Sequence, residues 1–239
     1  MYLSYSETNT LDFSSNNISK LYSKGNLFTR KTKGNLYQTR SLRIVLSRFE
    51  LNSENRRILL KNELLTLNLE NLPMVKYSYL IHLTGKEFYT RKFGDLTFSA
   101  AKIKELLTDK EKSNLNILFK YAFSATDPKL PELQTLAEIN NAIGYAICYQ
   151  NNELLHYAYP FYDLKISKDQ NLGMGMMLKA ILWARENKKK YVYLGSIVEP
   201  SSKYKLQFSG LEWWDNQKQK WSEDLEEVKK LISVETNVT

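Results

Sequence analysis

A short glycine-containing turn is the feature of this sequence best suited to chemistry. The segment DQNLGMGMMLKAILW, residues 169–183, places Gly173 and Gly175 at the start of an amphipathic, methionine-rich stretch. Free N–H groups and the positive dipole end of a helix attract an anion, and glycine lets the backbone approach it closely. The expected phosphate-binding residues are Gln170, Asn171, Leu172, Gly173, Met174, Gly175 and Met176. The alternative is a core helix that uses its glycines only to pack tightly against a sheet.

Acid–base residues are expected just before this turn and after it. In LLHYAYPFYDL, residues 154–164, Asp163 ends a strand-like run and His156 lies within it. Asp163 could bind an ammonium group, act as a base or simply close a loop. His156 would suit a general base at neutral pH, although a lone strand histidine is more often a packed, hydrogen-bonded residue. Tyr204 is a third candidate, as a proton donor to a leaving group.

Composition restricts the chemistry further. The 239 residues are 43% hydrophobic, and 34 Lys and Arg against 26 Asp and Glu give a net charge of +8. This excess favours a polyanion such as RNA, or serves solubility alone. A single cysteine, Cys148, excludes an internal disulfide, and we expect no structural metal and no cysteine nucleophile. Without a secretory leader or a bilayer-length apolar run, the protein is expected to be soluble and cytoplasmic.

The elements that must position these residues follow from hydrophobic periodicity. Alternation predicts strands at 41–51, 116–124, 133–140, 142–150, 154–164 and 191–198. Helical spacing and caps predict a helix from residue 53 with Leu65 in its apolar stripe, then helices at 74–93, 99–112, 174–187 and 222–232. A short helix and two closing strands are expected between 201 and 221. Residues 1–40, a series of short turns, are expected to pack as an extension on a domain at 41–239.

The order of these elements predicts a fold class. A meander followed by strand, helix and parallel strand indicates an α/β (α+β) protein with a mixed, mostly antiparallel sheet flanked by helices. The turn itself resembles a known motif: Gln170, Gly173 and Gly175 fit Q/R-x-x-G-x-G/A, by which the Gcn5-related acetyltransferase (GNAT) superfamily wraps the pyrophosphate of coenzyme A. This resemblance implies a GNAT-like acyltransferase fold with acetyl-CoA as the donor.

A narrower resemblance covers about half of the chain. YAYPFYD (157–163), NLGMGMMLKAILWA (171–184), YVYLGS (191–196) and SKYKLQFSGLEWWD (202–215) resemble successive motifs of the arginyl- and leucyl-tRNA–protein transferases. Residues 37–62 resemble that family's arginine-marked strand and the helix after it. The resemblance implies that an aminoacyl group moves from charged tRNA to a protein N-terminal amine, with no cofactor. The family's N-terminal cysteine cluster is missing, so the chain resembles a divergent relative of these transferases.

The same resemblance implies substrate contacts. Lys205 stands at the lysine of the family's Y-K-x-x-F motif, where a cation would contact the tRNA 3′ end or an acceptor carboxylate. Arg56 and Arg57 would meet tRNA phosphates, or else form a solvated helix face. The expected substrate-binding residues are Tyr157, Tyr159, Tyr193, Lys205, Arg56 and Arg57. In either transfer an amine attacks an activated carbonyl, and no covalent enzyme intermediate is needed.

Three functions stay open at this point. The first is an aminoacyltransferase whose partners are charged tRNA and an acceptor protein, with no membrane and no metal. The second is a coenzyme-A-dependent N-acetyltransferase, which Gln170 and Gly175 favour. The third is a non-catalytic GNAT-like binding module, because no acid or base is unambiguous. The sequence does not indicate the amino acid transferred, the acceptor or the oligomeric state.

Overall fold

Strands and helices alternate along this computed structural model, which describes residues 4–124, 142–166, 170–198 and 200–235. The strands are β1 (Ser6–Asn9), β2 (Asn26–Phe28), β3 (Asn35–Gln38), β4 (Ser41–Val45), β5 (Leu65–Asn71), β6 (Ile117–Phe123), β7 (Gly144–Gln150), β8 (Leu154–Tyr162), β9 (Tyr191–Ser196), β10 (Leu211–Asp215) and β11 (Lys220–Ser222). The helices are α1 (Ser15–Ser23), α2 (Ser53–Lys61), α3 (Tyr79–Phe93), α4 (Ala100–Thr108), α5 (Leu172–Glu186) and α6 (Leu225–Glu235), with 3-10 helices at Leu46–Arg48 and Pro200–Gln207. The strand predicted at 133–140 lies outside the described residues.

The chain divides into two units. Unit 1 is drawn from Met1–Asn52, Gln150–His156 and Ala184–Thr239, and unit 2 from Ser53–Tyr149 and Tyr157–Trp183. The division expected from composition, an extension at 1–40 and a domain at 41–239, stays a prediction.

Unit 1 contains the parallel strand pair expected from the sequence. Its strand order is β11-β10-β4-β9 followed by the first residues of β8. β10 pairs antiparallel with β11 and with β4, and β4 pairs antiparallel with β9. β8 and β9 run parallel, with Leu154 opposite Tyr191 and His156 opposite Tyr193. Parallel neighbours need a crossover connection, and the chain passes through α5 between them, as predicted.

Residues 4–40 carry more structure than their turn-rich composition suggests. β1, β3 and β2 form a three-stranded antiparallel sheet. α1 begins after Ser14, whose side chain accepts a hydrogen bond from the Asn17 N–H and so caps the helix. The buried apolar residues of this segment are Ile18, Tyr22, Leu27, Phe28 and Leu36. The segment therefore contributes to the core of unit 1, because a few apolar side chains at helical and strand spacing are enough to order it.

Unit 2 contains the antiparallel strands. The order is the later part of β8, then β7, β6 and β5, with Leu65 opposite Phe123 and Ile117 opposite Cys148. The assignment of Leu65 to a helical stripe is wrong, since α2 ends at Lys61 and Leu65 begins β5. Leu65, Leu67 and Leu69 recur with period two, which places them on one face of a strand.

Caps decide where the helices of unit 2 begin. α4 follows Ser99, whose side chain accepts from the Lys102 N–H, and it buries Ile103, Leu106 and Leu107 as predicted. α3 follows Ser78, whose side chain accepts from the Leu80 N–H, so the prediction of helix at 74–78 is wrong. α5 begins at Leu172, slightly before the predicted Met174.

The predicted fold class is confirmed. The strand pairings are mixed and mostly antiparallel, helices accompany the strands, and β8–β9 is the parallel pair. None of the helices in the described parts of the chain is both long enough and apolar enough to cross a membrane.

Candidate active site

The glycine turn, residues 170–176, forms the start of α5 in unit 2. Asn171 has a positive φ of 51° and its carbonyl oxygen accepts the N–H groups of Met174 and Gly175, both at 3.0 Å. These two bonds close the first helical turn. The N–H groups of Leu172 and Gly173 have no acceptor among the described residues, as is usual in a first helical turn. The turn thus offers two backbone donors at the positive end of a 15-residue helix.

Each glycine of the turn also faces a close neighbour. A Cβ added at Gly173 would lie 3.1 Å from Cε1 of Tyr162, and one added at Gly175 would lie 2.6 Å from Cγ of Asn62. The second distance is too short for any real Cβ, so Gly175 is required by packing whatever the turn binds. Tight packing and phosphate binding, the two alternatives for this motif, therefore both have support in the geometry.

Asn62 is a residue of this site that the sequence did not reveal. It follows α2, is 1% exposed, and its Nδ2 donates to the carbonyl oxygens of Ile58 at 2.9 Å and Gln170 at 2.7 Å. In the sequence, an asparagine directly after a helix indicates only an ordinary helix C-terminus. No local signal relates it to a turn more than a hundred positions away.

Asp163 closes a turn between β8 and the glycine turn. Its Oδ1 accepts the Lys165 N–H at 2.9 Å, its carbonyl oxygen accepts the Ile166 N–H, and its own N–H donates to the Ile143 carbonyl oxygen. This is the geometry of an aspartate that caps a loop. A catalytic role for Asp163 stays a prediction.

The aromatic residues predicted at β8 differ in exposure. Tyr157 is buried at 2% exposure, and Tyr159 is partly exposed with its ring 5.4 Å from that of Phe98. Tyr159 is therefore the more exposed of the two residues.

The histidine cluster, which we define as Tyr22, His156, Tyr193 and Lys205, brings three predicted site residues together in unit 1. His156 is 3% exposed and its Nδ1 lies 2.9 Å from the Tyr22 hydroxyl. That hydroxyl also accepts the Phe28 N–H at 3.2 Å. Burial, and secondly the charge of Lys205, lower the pKa of His156 to about 3.

Lys205 lies in the second 3-10 helix against the end of β9. Its Nζ donates to the Ser196 carbonyl oxygen at 3.1 Å, and burial lowers its pKa to about 8. Gly195, with a φ of 82°, is next to this contact, and a Cβ there would lie 3.6 Å from Nζ. The ammonium group therefore stays mostly charged at neutral pH but is easier to neutralise than an ordinary lysine.

Tyr193 completes the cluster, whereas Tyr204 lies outside it. Tyr193 is 1% exposed, its ring lies 5.0 Å from that of Tyr22 and 5.8 Å from that of Trp221, and burial raises its pKa to about 12. Tyr204 is 46% exposed and its carbonyl oxygen accepts from Gln207. Tyr193 is thus a packed ring, and Tyr204 faces solvent.

Arg56 and Arg57 lie on the exposed face of α2 in unit 2. Arg57 makes two bonds to the Glu54 carboxylate, 2.7 Å from Nε and 2.6 Å from Nη2. Arg57 thus has a local partner on its own helix, and the contact of Arg56 and Arg57 with tRNA phosphates stays a prediction.

Three further observations concern a pocket, the cysteine and metal binding. A pocket of about 390 Å³ in unit 2 is lined by Glu70, Met74, Val75, Lys76, Ile81, Lys120 and Tyr145, none of which was predicted. Burial raises the pKa of the Cys148 thiol well above its usual range, which suits the predicted core role. Across the described segments, no three His, Cys, Asp or Glu side chains are grouped so that they could hold a metal ion.

Comparison with known proteins gives one family match. Residues 106–215 match the family model described as arginine-tRNA-protein transferase, C terminus, and no curated protein matches the chain. The matched range contains Asp163, the glycine turn and Lys205.

Solved structures similar to this chain cover most of it at low identity. L-PGS from Bacillus licheniformis has a TM-score of 0.45 and 13% identity over 78% of this chain and 52% of its own. FemX has a TM-score of 0.44 and 11% identity, over 80% and 63%. The C-terminal domain of a putative lysylphosphatidylglycerol synthetase from Agrobacterium fabrum has a TM-score of 0.43 and 11% identity, over 77% and 52%. The chain thus spans less than two thirds of the length of each of these chains.

The family match overlaps the motifs that carried the sequence resemblance, from the aromatic strand to the LEWWD strand. Residues 106–215 of this chain are thus similar to the C-terminal part of the arginine-tRNA-protein transferases.

Proposed function

We propose that the protein is an aminoacyltransferase that moves an arginyl or leucyl group from charged tRNA to the N-terminal amine of an acceptor protein. The observation that carries the proposal is the family match over residues 106–215. The basic net charge of +8 agrees with an RNA donor, because cations that neutralise phosphates release counterions.

The glycine turn would hold the donor. In this proposal the N–H groups of Leu172 and Gly173 donate to a phosphate near the tRNA 3′ end, and the dipole of α5 favours the anion. The contact uses backbone groups, so it fixes the position of the donor without reading the base sequence. The aminoacyl ester is then held for attack by the acceptor amine.

The histidine cluster would supply charge instead of a base. At a pKa of about 3 His156 stays neutral at physiological pH and is a weak proton acceptor. Lys205 carries a positive charge there and suits the tRNA 3′ end or an acceptor carboxylate. Asp163 remains the candidate partner for the acceptor ammonium, and Tyr204, with its exposed ring, the candidate proton donor to the departing alkoxide.

Acetyl-CoA-dependent N-acetylation is the second candidate. Gln170, Gly173 and Gly175 at a helix start fit a coenzyme A turn, and the two backbone donors would serve a pyrophosphate equally well. The contact of Gly175 with Asn62 weakens this argument, because it gives that glycine a reason unrelated to a ligand.

A transfer assay with both donors separates these functions. Purified protein is incubated with labelled arginyl-tRNA, leucyl-tRNA or acetyl-CoA and with peptides whose N-terminus is free or acetylated. The proposal expects label from tRNA on the free N-terminus only, and loss of most transfer in Lys205→Met. Label from acetyl-CoA alone would establish the second candidate, and binding of tRNA without transfer would establish the binding module.

A further inference from the structure

Asn62 is held rigidly at the end of α2. Its N–H donates to the carbonyl oxygens of Ile58 and Leu59, both at 3.1 Å, and its carbonyl oxygen accepts the Leu65 N–H at 3.0 Å. Its Nδ2 also donates to Ile58 at 2.9 Å. The backbone and one side-chain N–H of Asn62 are therefore fixed by its own helix and the first residue of β5.

The remaining side-chain N–H of Asn62 reaches the glycine turn. It donates to the carbonyl oxygen of Gln170 at 2.7 Å. This carbonyl group belongs to the peptide bond that joins Gln170 to Asn171. Asn171 in turn starts α5 by accepting from Met174 and Gly175. The direction in which Leu172 and Gly173 present their N–H groups thus depends on a bond from another helix.

Gly175 permits this approach, since a Cβ there would lie 2.6 Å from Asn62 Cγ. The Asn62 Oδ1 is buried and has no hydrogen-bond partner among the described residues. Burying an amide oxygen without a donor is unfavourable, and unsatisfied groups of this kind tend to mark functional sites.

We infer that Asn62 is a positioning residue for the glycine turn, which it holds through Gln170 so that the N–H groups of Leu172 and Gly173 point at the donor phosphate. The inference rests on the proposed function for the role of the turn. Asn62 touches no donor itself; it acts through the backbone of residues 170–173.

The first test compares two buried asparagines. Asn62→Leu keeps the volume and removes both N–H donors. The control is Asn26→Leu in unit 1, where Asn26 is also buried, donates from Nδ2 to the Leu21 carbonyl oxygen at 3.0 Å, and has an unpartnered Oδ1. Both variants should have a lower melting temperature than the natural protein. Only Asn62→Leu should raise the KM for charged tRNA, by about tenfold, with kcat little changed. An equal KM in the two variants would overturn the inference.

A double variant protects the test against simple misfolding. Gly175→Ala alone should be strongly destabilised, because the new methyl meets the Asn62 amide. The double variant Asn62→Ala/Gly175→Ala removes that clash. Its loss in free energy of unfolding should therefore be smaller than the sum of the losses in the two single variants. The recovered fold should still bind charged tRNA about tenfold more weakly than the natural protein. Natural donor affinity in the double variant would count against a positioning role.

A measurement that needs no tRNA tests this inference separately from the proposed function. Amide hydrogen exchange of Met174 and Gly175 reports closure of the first turn of α5. Faster exchange in Asn62→Leu but not in Asn26→Leu supports positioning even if no amino acid is transferred. Equal protection of these amides in all three proteins overturns it even if transfer is observed.

Discussion

The glycine turn of unit 2 and the histidine cluster of unit 1 use different chemical groups. The turn presents the backbone N–H groups of Leu172 and Gly173, whose capacity to donate does not change between acid and alkaline pH. The cluster consists of titratable side chains whose pKa values burial has moved, to about 3 for His156 and about 8 for Lys205. We therefore expect the turn to respond to shape and salt, and the cluster to respond to pH.

Gly173→Val should produce the largest effect and should act on the turn alone. Its Cβ would lie 3.1 Å from the Tyr162 ring, and the two added methyl groups would displace the Gly173 N–H. The affinity for charged tRNA should fall about hundredfold, or about 2.7 kcal/mol. Filter binding at fixed salt measures it. Gly173→Ala should be intermediate, and natural affinity in a folded Gly173→Val protein would show that the turn does not hold the donor.

Tyr22→Phe should weaken unit 1 through its cluster. The Tyr22 hydroxyl bonds both the Phe28 N–H and His156 Nδ1, and its removal takes these hydrogen bonds from two buried groups. We expect the free energy of unfolding to fall by about 1–3 kcal/mol in urea denaturation. Tyr79→Phe, at a residue 62% exposed, is the matched control and should change little. Equal effects in the two variants would mean that the buried hydroxyl contributes nothing specific.

The pH dependence of stability should carry the signature of the cluster. Between pH 6.5 and about 3 the unfolded chain binds a proton at His156 that the folded chain does not, so the free energy of unfolding falls as pH falls. Between pH 8 and 10.5 the unfolded chain keeps the Lys205 proton that the folded chain has lost, so stability rises with pH. The acid limb should have a slope of about 1.4 kcal/mol per pH unit.

Denaturation over these two windows tests the assignment. His156→Gln should flatten the acid limb, and Lys205→Met should flatten the alkaline one. Slopes that persist in both variants would place the titrating groups elsewhere.

Arg57→Gln should give the smallest effect. Arg57 is exposed and paired with Glu54, so the free energy of unfolding should change little. If Arg57 exchanges its partner for a tRNA phosphate, the slope of log binding constant against log salt should decrease by about one. An unchanged slope would show that Arg57 contacts no tRNA phosphate and belongs to a solvated helix face, the alternative given for it from the sequence.

Hydrophobic periodicity along the sequence predicted most of the strands and helices. The strands around 117–123, 144–150, 154–162 and 191–196 and the helix of residues 100–108 follow from alternation and from a capping serine. Prediction was wrong at Leu65 and at 74–78, where leucine- and tyrosine-rich runs satisfy helical and strand periods alike. The structure of residues 15–38 was not expected, because its apolar residues are few and their neighbours are turn formers.

The candidate site was less predictable than the fold. His156, Tyr193 and Lys205 were selected one by one, and only the parallel register of β8 and β9 places His156 beside Tyr193. Tyr22 was not selected, since nothing near it in the sequence indicates a histidine partner.

By itself the sequence determined the order of the described elements after residue 99, the glycine turn at a helix start and the family resemblance, because each depends on residues close together in the chain. Only the tertiary structure decided what surrounds the functional groups. It gave His156 a hydroxyl partner, placed the Lys205 ammonium in a partly buried position at the Ser196 carbonyl oxygen, and brought the Asn62 side chain to the carbonyl oxygen of Gln170. Hydrogen bonds and burial join residues that are distant in sequence, and no local pattern records which of them will meet.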